Sequence, residues 1–453
     1  MKYTNNSKKT GRVASSVLFA LLSVLFVSCS QEEFLPQETT TLQFVVSNFP
    51  AFQDSSPESG EVPQAEGSVL TRAIGTQDEG KTAWANEDKI LVHLYSQKFG
   101  DQAVTLTFDA ESNTWESDDA SLNYLENETP TITAVYAPDC EIKSDETIVL
   151  LEGKKYGEEE YIPAKTAING NTLDIRFESG RNYSRLRIAT MPEVTLTVTT
   201  TDFTPAGATS VATEPYTLTT DEKGNAYLYG TFAEGATVNV KKGDVTLKDY
   251  TFTAEKNPNG TEHNKSYALD ARPVIDGTLG GKAEATEDDI TALVEQLKEY
   301  VDNGITTIIV PGSEPAMIDV GSLTITAIGE AIYRLSKEES YNGKIDLVLP
   351  DVTEIVDQEF YGARALNSIS LPKVTTVGDG AFYDCQYLEE LTFGSVVTAI
   401  NHKLRAEFYM VGEKVEGCDL VLNREQVNAD ADYQPNIETR TWWNTEWKSI
   451  TLK

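Results

Sequence analysis

The sequence predicts a mainly β protein: two tandem β-sandwiches, then an irregular repeat solenoid with an N-terminal capping helix. Three observations predict this. From residue 71 to about 272, apolar and polar residues alternate with period two, as in short strands with one buried face. Residues 286–303 carry the clearest helical period in the chain. Residues 305–452 resemble themselves at an offset of 22 residues, which marks a stack of similar coils.

The chain has 453 residues, room for about three domains. Hydrophobic residues make up 40% and aromatics 9%, enough for packed cores. Lys and Arg number 37 against 71 Asp and Glu, a formal net charge of −34. Such a surface repels phosphate backbones, so nucleic acid is not an expected partner. It also disfavours docking of the bare protein on an anionic bilayer. His93, His263 and His402 lie far apart in sequence, which argues against a histidine-based metal centre or triad.

Residues 1–28 read as a targeting segment. Lys2, Lys8, Lys9 and Arg12 form a basic start, and Val17 to Val27 is an apolar run of signal-peptide length. Ser28-Cys29 follows. A small residue before a cysteine at the end of such a run resembles a bacterial lipoprotein signal. The resemblance implies cleavage after residue 28, diacylation of Cys29 with palmitate-like chains, and anchoring in the cell outer membrane. Ser30-Gln-Glu-Glu33 is similar to the surface-export signal of Bacteroides-type lipoproteins, which implies exposure to the outside. Removing residues 1–28 takes away four positive charges and no negative one, so −34 becomes −38. Lipid rather than charge must then hold the protein to its membrane. Residues 29–40, rich in Ser, Pro, Gln and Glu, read as a tether.

Residues 41–160 and 161–272 read as the two sandwiches. Leu42-Gln-Phe44-Val-Val46 is a short apolar strand. Ile90, Val92 and Leu94 alternate, as do Val104, Leu106 and Phe108, and later Leu173, Ile175 and Phe177. Val194, Leu196 and Val198, then Val238 and Val240, continue the series to Tyr267 and Leu269. Many short strands separated by turn residues indicate sandwiches. Particular stretches carry a resemblance: Thr71-Arg72-Ala73, Lys81-Thr-Ala-Trp84, Asp88-Lys-Ile-Leu-Val92, Ala134-Val-Tyr-Ala-Pro138, Ala226-Tyr-Leu-Tyr-Gly230 and Lys265-Ser-Tyr-Ala-Leu269. In this order they resemble fimbrillin-like proteins over about residues 41–272. The resemblance implies a two-sandwich surface lipoprotein that builds pili or acts as an adhesin and is not an enzyme. It also implies maturation by an arginine-specific protease, which opens a sheet edge for another subunit's strand. Arg72 suits that role. No Lys or Arg lies between Arg12 and Arg72, and a Gly, Ser and Pro-rich stretch precedes it. An ordinary arginine at a domain start is the other reading.

Residues 273–453 form the third domain. Thr286 reads as an N-cap before Glu287, Asp288 and Asp289, and Ile290, Leu293, Val294, Leu297, Tyr300 and Val301 share one helix face. This helix, 286–303, would cap the first coil. Leu349-Pro-Asp-Val352-Thr-Glu-Ile355 then aligns with Leu371-Pro-Lys-Val374-Thr-Thr-Val377, and Phe360 aligns with Phe382. Six strands are expected, at 305–310, 345–349, 367–371, 388–393, 419–422 and 447–452. Each turns alternate residues inward to stack on the next coil. The pattern resembles the BspA-like leucine-rich repeat over about residues 305–452, with irregular spacing at 323–345 and 400–447.

In such a stack the outward strand residues line one face: Thr307, Asp346, Ser368, Ser370, Glu390, Thr392, Asp419, Ser449 and Thr451. Hydroxyls mixed with carboxylates could hydrogen-bond a glycan or protein on a host or bacterial surface; a solvated face without ligand is the alternative. Trp442, Trp443 and Trp447 read as a lid on the last coil. Cys140, Cys385 and Cys418 are left once Cys29 carries lipid; Cys385 and Cys418 are either bridged or buried thiols. Neither a metal ligand set nor a catalytic constellation stands out, and no cofactor is expected. The sequence thus points to a surface lipoprotein adhesin, an accessory or tip fimbrial component. A polymerising pilin cleaved after Arg72 is the second reading, and a glycan-binding or glycan-processing surface protein is a remote third.

Overall fold

A computed structural model describes residues 39–50, 52–54, 81–117, 121–125, 127–177, 181–255, 258–401, 408–443 and 445–453. The targeting segment, Cys29 and Arg72 lie outside the described residues. The fold is mainly β, and no described helix is long and apolar enough to cross a membrane.

In the first sandwich, one sheet runs in the order Ile162–Pro163, Thr131–Tyr136, Lys89–Ser96, Gly100–Asp109, Thr114–Ser117. The facing sheet runs Lys165–Asn169, Thr172–Arg176, Gln43–Val46. Alternation explains the core between them: Ile90, Val92, Leu94, Val104 and Leu106 point in from one side, Leu173 and Ile175 from the other. At one corner Trp84 meets Phe49, Trp115, Tyr136 and Phe177 edge-on. The Lys81 ammonium lies 4.7 Å from the Tyr136 ring centre and pairs with Asp88, which ties the two ends of the Lys81–Asp88 turn to the sheet.

The second sandwich packs the sheet Phe203–Pro205, Asn225–Phe232, Ser184–Ala189, Lys265–Asp270, Gln53–Asp54 on the sheet Tyr216–Thr219, Thr195–Thr200, Thr237–Lys242, Val245–Thr251. Strand pairing puts the change of sandwich after Phe177 rather than at residue 160. Lys165–Asn169 bonds to Thr172–Arg176, which bonds on its other side to Gln43–Val46, so they complete the first sheet pair. The tether also ends earlier than residue 40, because Thr39–Thr41 pairs with Asn123–Leu125.

The segment at 43–54 serves both sandwiches. Gln43–Val46 adds parallel to Thr172–Arg176, and Gln53–Asp54 adds parallel to Lys265–Asp270. Between them Arg181, its side chain fully buried, donates 2.7 and 2.8 Å bonds to the two oxygens of Glu160. Its guanidinium also donates to the Pro50 carbonyl and lies 3.9 Å from the Phe52 ring centre.

The third unit is a parallel stack. Its cap helix spans Glu287–Asp302, with Thr286 and Asp289 in a reciprocal capping box. Ile290, Leu293, Leu297 and Tyr300 bury its inner face. Six rungs follow in one parallel sheet: Thr307–Ile309, Ile345–Val348, Leu366–Leu371, Glu390–Phe393, Asp419–Leu422 and Ser449–Leu452. A second parallel sheet, Glu354–Ile355, Thr376–Val377, Ala399–Ile400, stacks the return sides. The insertion at 323–345 holds a second helix, Ala327–Leu335, on the return side of the first rung.

Glu359 fixes that helix to the stack. Fully buried, it accepts a 3.1 Å bond from the Thr326 amide and another from the Thr326 hydroxyl, while Thr326 caps the helix by accepting from the Gly329 amide. Burial raises the Glu359 carboxyl to about 7 against these bonds. An acid raised in the folded state holds its proton more tightly there, so stability falls as pH climbs from the ordinary carboxyl value to about 7. The loss should approach about 3 kcal/mol. Denaturant midpoints of the repeat unit should therefore drop between about pH 5 and about pH 8, and Glu359→Gln should flatten that slope. An unchanged slope in Glu359→Gln would refute the assignment.

Candidate functional site

The parallel register sorts the outward residues into two rows. Thr307, Asp346, Ser368, Glu390, Asp419 and Ser449 occupy one register position through all six rungs. Ser370, Thr392 and Thr451 fall in the neighbouring row, which runs Ile309, Val348, Ser370, Thr392, Val421, Thr451. All nine residues expected from the sequence therefore share one sheet, six of them in an unbroken line. The row arises because the inward residues Leu347, Ile369, Leu391 and Leu420 are buried and lock the register.

The row is internally bonded. Asp346 accepts from Ser368 Oγ at 2.7 Å and from Asn367 Nδ2 at 2.8 Å. Thr392 Oγ1 donates to Glu390 at 3.0 Å, and Ser449 Oγ donates to Asp419 at 2.6 Å. Lys448 pairs with Asp419 at 3.4 Å. Three hydroxyl protons are thus committed to carboxylates. What the face offers outward is mostly acceptors: remaining carboxylate lone pairs and hydroxyl oxygens. Adjacent strands sit ~4.8 Å apart, so Glu390 and Asp419 form a close acidic pair on neighbouring rungs. The chemistry is acceptance of hydrogen bonds from amines, guanidinium groups or sugar hydroxyls. Among the described residues no group of His, Cys, Asp or Glu side chains is arranged to hold a metal ion.

The return side carries an arrangement that the strand pattern does not reveal. Phe360, Phe382 and Phe408 stack inside, with ring centres 5.7 and 5.9 Å apart. Directly after them Tyr361, Tyr383 and Tyr409 form a second ladder, 5.2 and 5.1 Å apart, and Tyr409 is 52% exposed. The recurring Phe-Tyr pair was the available signal. Trp442 and Trp447 are buried against Phe408, at 5.7 and 5.3 Å, which closes the last coil. Cys140, Cys385 and Cys418 are free and buried, so Cys385 and Cys418 are not bridged. Burial pushes the Cys140 thiol up to about 11 and the other two higher still.

Residues 344–408 match the BspA type leucine-rich repeat region. No curated protein matches the sequence. Two solved structures are similar to parts of the chain. One, from Bacteroides fragilis, is described as a candidate cell adhesion protein: 10% identity, 51% of this chain and 92% of that one, TM-score 0.23. The other is a fimbrial protein from Bacteroides ovatus: 12% identity, 47% of this chain and 52% of that one, TM-score 0.23. The chain spans about half the length of the second.

The two ladders differ in burial, and unfolding should separate them. Phe382→Ala should cost the repeat unit about 3–5 kcal/mol, because it leaves a cavity between Phe360 and Phe408. Tyr383→Ala, on the outer ladder, should cost clearly less. Equal losses in chemical denaturation would mean the outer ladder is also core.

Proposed function

We propose that the protein is a cell-surface lipoprotein adhesin, an accessory or tip component of a fimbria. It binds a host or bacterial surface ligand through the outward face of the repeat sheet. The unbroken row from Thr307 to Ser449 carries this reading. Nothing in the stacking of the core requires carboxylates and hydroxyls at this position, since outward residues there do not build the core. An acceptor-rich face on a chain of charge −34 suits a partner rich in donors, such as a basic protein surface or a glycan. The lipoprotein signal ending at Cys29 supports an outer-membrane anchor on the outside of the cell.

The test is binding of the exported chain to arrays of host and bacterial surface proteins and glycans, at low and high salt. Affinity for a basic partner should fall as salt rises. Glu390→Lys combined with Asp419→Lys should weaken it by ~10-fold or more, about 1.4 kcal/mol. Binding unaffected by both changes would move the site off this face.

One observation favours the polymerising reading. Gln43–Val46 and Gln53–Asp54 are edge strands, and both lie upstream of Arg72. Cleavage after Arg72 would release them and open one sheet edge on each sandwich. Against a shaft subunit, Ser449–Leu452 is already the sixth rung and is not free to serve as a donor strand. Treatment with an arginine-specific protease, followed by electrophoresis without boiling, decides between them. A ladder of multimers that Arg72→Gln abolishes would establish the pilin; a single shortened monomer band fits the accessory component.

A further inference from the structure

Among the described strands, the sixth rung has one open edge. Ser449–Leu452 has one neighbour among the described strands, Asp419–Leu422, and no other described strand pairs with its far edge. Its inward residues reflect this. Leu391, Phe393, Leu420 and Leu422 are buried in the preceding rungs, whereas Ile450 and Leu452 at the same positions remain partly exposed.

The hydrogen-bond parity of the strand says which groups are available. The Lys453 amide donates to the Leu422 carbonyl, and its own carbonyl accepts from Arg424, so Lys453 faces the fifth rung. Backbone groups alternate sides along a parallel strand. Thr451 and Ser449 therefore face the fifth rung too, while the N–H and C=O of Ile450 and Leu452 point to the open edge. At the start of that edge Arg440 donates to the Lys448 carbonyl at 2.9 Å.

We infer that this edge pairs with the same edge of a second copy, antiparallel about a two-fold axis at Thr451. That register uses the apolar residues of the strand best. With Thr451 opposite Thr451, Ile450 lies opposite Leu452 in both halves. Their outward-pointing amides and carbonyls then form a pair of hydrogen bonds on each side of the axis. All four apolar side chains stay on the inward face, where they cover one another. An axis between Ile450 and Thr451 would pair inward with outward residues, which period two forbids. An axis at Ile450 would set Leu452 against Lys448 and waste its apolar contact. Charge permits the chosen register: Lys453 meets Ser449 instead of another lysine. A closed two-fold contact also ends growth at two copies. The pairing is short, so the dimer is weak and concentration-dependent in solution, and crowding on one membrane favours it.

The test is site-specific crosslinking of the chain expressed from Ser30 onward. Its native cysteines among the described residues are buried and do not compete. Thr451→Cys should oxidise to a covalent dimer, because the two residues sit directly across the axis. Ile450→Cys, facing Leu452, should lose that product. Ile450→Pro added to Thr451→Cys should also lose it, since it removes an outward donor and leaves the bonds to Asp419–Leu422 in place. Sedimentation of the unmodified chain should show a mass that doubles as concentration rises. A monomer at every concentration, or equal crosslinking from positions 449, 450 and 451, would overturn the two-fold pairing; capture of a strand from a different protein would replace it.

Discussion

A rung of four residues cannot bury its own apolar side, and the repeat unit depends on this constraint. Leu347, Ile369, Leu391 and Leu420 are buried only because each sits between copies of itself. The same requirement explains both ends. The cap helix covers the first coil with Ile290, Leu293 and Leu297, and Trp442 and Trp447 close the last one around Phe408. It also explains the surface. A register locked from inside forces the outward residues into line, whatever their chemistry, so a functional row needs only the right residue at one position per coil.

Legibility in the sequence followed the same logic. The offset between Leu349 and Leu371 gave the rungs, because identical environments recur and select identical residues. Thr286 gave the helix start because capping is local chemistry. The boundary near 160 was read too early because Leu173 and Ile175 alternate like any strand. Their partner, Gln43–Val46, lies far back in the chain, and alternation carries no information about pairing. Periodicity does not single out the helix Ala327–Leu335 because it has only 9 residues, too few turns for a helical pattern to stand out. The tyrosine ladder was visible as Phe-Tyr pairs, but nothing in one sequence says that consecutive pairs stack.

The stretch 43–54 sets a different problem. Each sandwich borrows an edge strand from it, in parallel with a strand more than a hundred residues later. Such pairings close long loops and gain little per residue. The Arg181–Glu160 pair compensates: it is bidentate, buried and bonded to the Pro50 carbonyl, so it holds the crossing between the two insertions. Removal of either partner would strand a charge, whereas loss of the segment itself leaves the pair intact. The segment is thus firmly held while present and separable in principle from what remains.

Charge and hydrogen bonding on the repeat face bear on the partner proposed for it. A row of free serines and threonines would be ambivalent, donating or accepting as the ligand required. Here Ser368, Thr392 and Ser449 have given their protons to Asp346, Glu390 and Asp419. That fixes the carboxylate positions and leaves the hydroxyl oxygens as acceptors only. A ligand that itself presents carboxylates or phosphates finds few donors on this face, chiefly the ammonium of Lys448 beside Asp419 and the hydroxyl of Thr307 at the first rung, and meets the repulsion of the whole chain as well. For the binding face proposed above, selection against acidic ligands would need no specific clash; it would follow from where three protons reside.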